Sequence, residues 1–328
     1  MPTVKRRLQL TGKATFILSM PKKWAKRIEL KQGDELEIRE ERDGSLLVRK
    51  PVAEHGEMAL VELDGVERPE AIQRMLIARY LQGYAGMRIR SRAGFDSGAL
   101  GVIRQQSSRL LGLHITKESE DAVEIRDFFE RSGVSIYEML ERAYDLARGM
   151  QANAFKAILE GDEAAASLVV STDNDVDKLN FFIARQLNMA LSDPAHLSEL
   201  GLAPPECLEI LVVASSVEAM ADTCAELAGF AAKGPALPSD VRDFLQDSNG
   251  AVKAFHELAM TAFRERNFRL ASELVSERPK LSRRLRKSEH GMLLEHTKLP
   301  ELFTASVDGL QRIVGYGGEI AKVALNRE

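Results

Sequence analysis

Cysteine, histidine and aromatic residues are scarce in this chain of 328 residues, which has two Cys, six His and 6% aromatic side chains. Cys207 and Cys224 fall in one expected helix, 17 residues apart. That is too far for a disulfide within the helix and lacks metal-site spacing, so both read as small core residues. The histidines His55, His114, His196, His256, His290 and His296 include no i, i+4 pair, so no helix face carries two imidazoles as metal ligands. The dipeptides Glu289-His290 and Glu295-His296 read as exposed helix ends. No apolar run reaches the roughly 18 to 20 residues that span a bilayer, and the start, MPTVKRRLQL, has no apolar signal-peptide core behind its charges. The cytoplasm is therefore the expected location. What is present, 45% hydrophobic and 29% charged residues, describes a helix-rich globular chain long enough for two or three domains.

Charge is unevenly spread. The net charge is −4, yet residues 1–53 hold 13 Lys and Arg against 7 Asp and Glu, a surplus of 6 that leaves −10 for the remainder. A small basic module thus precedes an acidic body, which implies an anionic partner for the front alone.

Within the body, SLVVSTDNDVDKLNFFIARQLNMAL (Ser167 to Leu191) predicts a helix with Asp173 and Asp177 four apart, sharing a face with Ala166, Val169, Val170, Asn180 and Ala184. A second helix, ECLEILVVASSVEAMADTCAELAG, places Glu218 and Asp222 beside Leu211, Ala214, Ser215 and Ala225. Carboxylates on small and apolar faces are costly to bury unless protonated, paired or bound to a cation. Two such faces invite each other with a divalent metal between them, Mg²⁺, Mn²⁺ or iron by the preference of hard oxygen donors, with zinc also open. Solvated surface acids at helical spacing are the alternative. Carboxylate-bridged metal enzymes are another, but they also use Glu-x-x-His pairs, which are missing, and neither histidine ligands nor a nucleophile is in evidence. A non-enzyme is expected.

Taken in order, residues 4–10 alternate as a strand, Thr11-Gly12-Lys13 turns, Ala14 to Ser19 returns, and Pro21 opens the short helix KKWAKRIEL. The strand ELEIREER then turns at Asp43-Gly44 into SLLVRKP. So small a module buries little apolar surface alone, and dimerisation is expected. The run RRLQLTGKATFILSMPKKWAKRIELKQGDELEI, ending in DGSLLV, resembles the AbrB/SpoVT swapped-hairpin domain. That resemblance implies an interleaved homodimer at residues 1–52 and offers Arg6, Arg7, Lys13, Lys22, Lys23, Lys26 and Arg27 as DNA-phosphate contacts. Clustered Lys and Arg can bind a duplex by counterion release without reading bases. The alternative is a module that only dimerises.

Pro51 to Gly56 predicts a linker. Residues 57–130 then read as a β-α-β-α-β-β unit with no glycine-rich phosphate loop, Ser/His/Asp set or Cys/His cluster, and a structural or coupling role is expected. Residues 131–328 are helical, with a junction at KGPALPSD between halves of about 131–233 and 240–328. ASLVVS at Ala166 recurs as ASELVS at Ala271, 105 residues on, and EAMADTCAELA aligns with QRIVGYGGEIA from Gln311, 93 residues on. Two three-helix units in this order are similar to the PhoU family of phosphate-uptake regulators, whose DxxxD and ERxxD-like motifs bind metal. The resemblance implies a metal site at Asp173, Asp177, Glu218 and Asp222. Arg278, Ser282, Gln311 and Gly315 stand at the matching positions of the second unit, so a second site is not expected. With its AbrB-like front, the whole resembles archaeal-type PhoU homologues: a multidomain α+β chain regulating phosphate homeostasis. The partners this implies are DNA and either the ATPase subunit of a phosphate ABC transporter or a sensor kinase.

Overall fold

The computed structural model describes residues 5–12, 15–40, 44–49, 57–63, 68–129, 135–231, 237–296 and 301–327, without the side chains of residues 39, 47 and 49. It divides into two compact units, residues 1–56 and 57–328.

In the first unit, β1 (Gln9–Thr11) pairs antiparallel with β2 (Thr15–Ile17) and β3 (Glu37–Glu40) with β4 (Leu46–Arg49). Between the hairpins lies α1 (Lys22–Arg27), which ends where Glu29 takes a positive φ of 55°. Among the described residues of the predicted strand 4–10 only Gln9 and Leu10 find a partner, and Thr11, expected in the turn, pairs with Thr15. None of the described residues is buried. Leu10, Phe16, Ile38 and Leu46 stand exposed, Phe16 at 69%. Among its described residues a single copy therefore has strands and a helix but no core.

The second unit opens with the expected β-α-β-α-β-β order: β5 (Met58–Leu63), α2 (Pro69–Leu81), β6 (Gly86–Ser91), α3 (Ser97–Arg109), β7 (Leu113–Glu118) and β8 (Ala122–Asp127). The sheet runs β5-β6-β8-β7, with β5 and β6 parallel and the other neighbours antiparallel. Alternation sends Val61, Leu63, Met87, Ile89, Val123 and Ile125 into a core with Ile72, Leu76, Tyr80 and Ile103 of the two helices, while Leu60 points to solvent.

Two three-helix bundles follow. The first comprises α4 (Ile136–Glu160), α5 (Glu163–Ser192) and α7 (Pro204–Ala231), with the short α6 (Pro194–Glu199) between the last two. The second comprises α8 (Ser239–Arg264), α9 (Phe268–Glu295) and α10 (Glu301–Leu325). Helix ends follow the sequence chemistry: Ser135 and Asp162 cap α4 and α5 by accepting from Glu138 N and Ala165 N, and Gly161 stops α4 at φ 70°. One hydrophobic core runs through both bundles and includes Cys207 and Cys224, buried and free.

The middle sheet unit docks on α5 through Arg185, whose side chain is 1% exposed. Its guanidinium donates to Tyr80 O (2.5 Å), Tyr84 O (2.8 Å) and Asp127 Oδ2 (2.8 Å), and stacks 4.6 Å over the Tyr80 ring. Gly83, at φ +86°, leaves room for Met189, since a Cβ there would lie 2.6 Å from Met189 Cγ. Phe182 meets Phe129 with ring centroids 4.7 Å apart. The docking fixes the orientation of α5 and, with it, of the acids that α5 carries.

Candidate metal centre

The acidic positions read from the sequence meet where α5 faces α7. Asp177, Glu218 and Asp222 each offer a carboxylate oxygen, and these oxygens all lie within 4.8 Å of one another. This group could hold a metal ion. Asp173, one turn before Asp177 on α5, stands beside the three and is not part of the close set. Its Oδ1 is buried without a hydrogen-bond partner, as is Asn180 Oδ1 two turns further along the same helix. The orphaned Asp173 oxygen beside three converging carboxylates leaves the neighbourhood short of positive charge.

The electrostatics agree with that shortage. Burial first, then the charges of Asp222, Asp177 and Asp173, push the Glu218 carboxyl up to about 7. Burial, followed by Asp177 and Asp222, raises Asp173 to about 6, with Arg109 opposing. Asp177 is raised by burial and by Asp222, again with Arg109 opposing. Asp222 is raised by partial burial and eased by Arg312. Asp222 is the solvent-facing member, and Asp177 and Glu218 are half-buried. The neighbouring faces are as expected in part: Ala166, Val169 and Ala214 are buried, whereas Val170 and Ser215 are exposed.

Arg109 and Arg312 had no signal in the pattern that revealed the acids. They come from α3 and α10, distant in sequence, and reach the site only through tertiary packing. Asn180 was visible on the right face, but an amide shows its missing partner only in three dimensions.

The matching positions of the second bundle also meet. Gln311 Nε2 donates to Ser282 O at 2.9 Å. Arg278 lies across α10, its Nη2 3.8 Å from where a Gly315 Cβ would stand, and a Cβ on Gly318 would collide with its Cδ. Arg278 Nη1 reaches Glu319 Oε1 at 3.4 Å. At the four aligned positions no carboxylate remains, and a guanidinium lies between the helices.

Of the basic residues proposed for DNA, Lys22, Lys23, Lys26 and Arg27 stand exposed on α1, with Trp24 and Ala25 half-buried beside them. Arg6 and Arg7 are exposed ahead of β1, and Lys13 lies outside the described residues. A cavity of about 830 Å³ opens elsewhere, lined by Tyr137, Glu141, Glu206, Arg264, Arg266 and Arg327. Those charges already pair: Arg264 with Glu141, and Arg266 and Arg327 with Glu206. No described helix is long and apolar enough to cross a membrane.

Two family models match the chain. The one described as antidote-toxin recognition MazE, bacterial antitoxin, covers residues 9–54, and the PhoU domain covers residues 140–231. No curated protein matches. The pair of matches agrees with the architecture expected from the sequence, a MazE/AbrB-type front ahead of a PhoU body. Both are regulatory rather than catalytic domains, and they suggest a phosphate-homeostasis regulator with a dimerising or DNA-binding module.

Proposed function

We propose that this chain, a MazE/AbrB-type domain followed by a PhoU domain, is a cytoplasmic regulator of phosphate homeostasis that works as a homodimer and not as an enzyme. The observation that carries the reading is the convergence of Asp177, Glu218 and Asp222 within the PhoU-matched stretch. A divalent cation, Mg²⁺, Mn²⁺ or iron, with Zn²⁺ less suited to an all-oxygen set, supplies there the positive charge that the carboxylates lack. Asp177 and Glu218 hold it from the two helices, Asp222 closes the solvent side, and Asp173 and Asn180 offer their orphaned oxygens from α5. The cation ties α5 to α7, and α5 is the helix on which the middle unit docks. Cation occupancy is thereby linked to how that unit is held.

The basic front joins two subunits and contacts DNA through phosphates by Arg6, Arg7, Lys13, Lys22, Lys23, Lys26 and Arg27. Its exposed Phe16, Ile38 and Leu46 support association, because a second copy supplies the core that one copy lacks. Elemental analysis of purified protein before and after chelation, with thermal unfolding on readdition of Mn²⁺ or Mg²⁺, tests the cation site. An unchanged melting curve at saturating metal contradicts it. Deleting residues 1–52 should turn dimer into monomer. Gel-shift titration should show duplex binding that falls steeply with salt and with Lys22→Ala plus Lys23→Ala. Equal binding by both forms would leave the front a dimerisation handle, with the body docking on a transporter ATPase subunit or a sensor kinase.

A further inference from the structure

The repeat relation makes one face of the second bundle legible. Helices α5 and α9 begin at residues 163 and 268, the same 105-residue offset that relates Ala166 to Ala271. On α5, the side chains that receive the middle unit include Phe181, Phe182, Arg185, Asn188 and Met189. Phe181 packs into the sheet unit's core, Asn188 donates to Leu81 O at 3.2 Å, and the others make the contacts given above. The corresponding residues of α9 are Arg286, Lys287, His290, Leu293 and Leu294, and all five are exposed, Leu294 at 72%. The face that is filled on one bundle is open on the other.

Its chemistry differs from that of α5. The segment RPKLSRRLRK, Arg278 to Lys287, contains six basic residues and no acid, inside a body that is acidic overall. At about 100° per residue, Arg283, Arg286, Lys287, His290, Leu293 and Leu294 share one face. Among the described residues, Arg283, Arg286 and Lys287 form no ion pair with a carboxylate, and Arg283 donates only to Pro279 O. Three cations, of which Arg286 also acts on Glu289 one turn along, followed on the same face by two exposed leucines form a short basic amphipathic surface.

We propose that this face of α9 docks on an anionic lipid bilayer. Cations at this density are attracted to acidic headgroups, and the leucines add what a nucleic-acid backbone would not reward, burial of apolar side chains at the headgroup boundary. A second copy of the chain is disfavoured as occupant, because a symmetric contact would set Arg286 and Lys287 against themselves. The inference stands apart from the cation reading, since no residue of the acidic centre takes part.

The test uses full-length protein in co-sedimentation with phosphatidylglycerol-rich vesicles and with pure phosphatidylcholine vesicles. Binding to the first and not the second is expected, weakening with added salt. At about fivefold per cation near an acidic surface, Arg283→Gln with Arg286→Gln and Lys287→Gln should lower partitioning on the order of a hundredfold. Leu293→Ser with Leu294→Ser should lower it by about tenfold. Lys22→Ala with Lys23→Ala should leave it unchanged, which separates this face from the basic front. Full retention by the α9 charge variant, or equal binding to phosphatidylcholine, overturns the proposal. So does loss of duplex DNA binding or a changed solution mass in that variant, either of which gives the face to nucleic acid or to self-association.

Discussion

The two helical bundles share a plan and differ at the place where their second and third helices face each other. In the first, α5 and α7 bring Asp177, Glu218 and Asp222 together with Asp173 alongside, and every one of these carboxyls is raised. In the second, α9 and α10 bring Gln311 onto Ser282 and lay Arg278 over Gly315 and Gly318. One bundle gathers carboxylates that could hold a metal ion, and the other carries a cation on its own chain. The outer faces diverge in the same way, covered by the sheet unit on α5 and open on α9. The two bundles thus share a helix plan and differ on both faces of the second helix.

The largest expected effect tests the covered face. Arg185→Leu removes the guanidinium that satisfies Tyr80 O, Tyr84 O and the nearly buried Asp127, and should cost about 3–5 kcal/mol of unfolding free energy by denaturant titration. His290→Leu, the same position on α9, should change it by less than about 0.5 kcal/mol. Equal losses would erase the distinction between the faces. Next in size is the cation itself: at about a hundredfold above its dissociation constant, Mn²⁺ or Mg²⁺ should add about 2.7 kcal/mol to the chelated protein, and nothing to Asp177→Asn with Glu218→Gln. Smaller again, Arg278→Ala should cost about 1 kcal/mol, because its pair with Glu319 is partly exposed and much of its role is packing, and it should leave metal content untouched.

The mildest sharpening comes from pH. Asp173 and Glu218 titrate near 6 and 7 in the cation-free protein, against 3.8 and 4.5 ordinarily, so the native state binds protons that the unfolded chain has already released. Stability of the chelated protein should therefore fall as pH rises from about 4 to about 7, and added metal should flatten that slope. His256 on α8 works in the opposite sense. Stacked on Tyr144 at 5.5 Å and buried with neither ring nitrogen partnered, it is pushed down to about 4 from 6.5. Its contribution is present above pH 6.5 and is lost as pH falls toward 4, so it offsets one of the two carboxyls, and His256→Phe should steepen the fall in stability of the chelated protein as pH rises. Thermal melts across this range, with and without chelator, separate the two.

Much of this arrangement was legible in the sequence because local chemistry wrote it: i, i+4 spacing puts Asp173 and Asp177 on one face, and the same spacing puts Glu218 and Asp222 on another. The order of the middle unit was equally plain, since period-two runs alternate there with helical ones. Three things were not legible. The early strand is short because pairing, and not alternation, decides its length. Arg109 and Arg312 enter the acidic neighbourhood from helices whose docking no local pattern encodes. Asp222 shares the period of Glu218, but a helical period gives an angle and not a depth, and this residue sits at the solvent edge.

The most direct test of the account is the number of divalent ions bound per chain at saturating metal after removal of excess, measured by elemental analysis on native protein and on Asp177→Asn with Glu218→Gln. The native protein should bind one ion per chain and the variant none. Two ions per chain, or an ion retained when both ligands are gone, would contradict this.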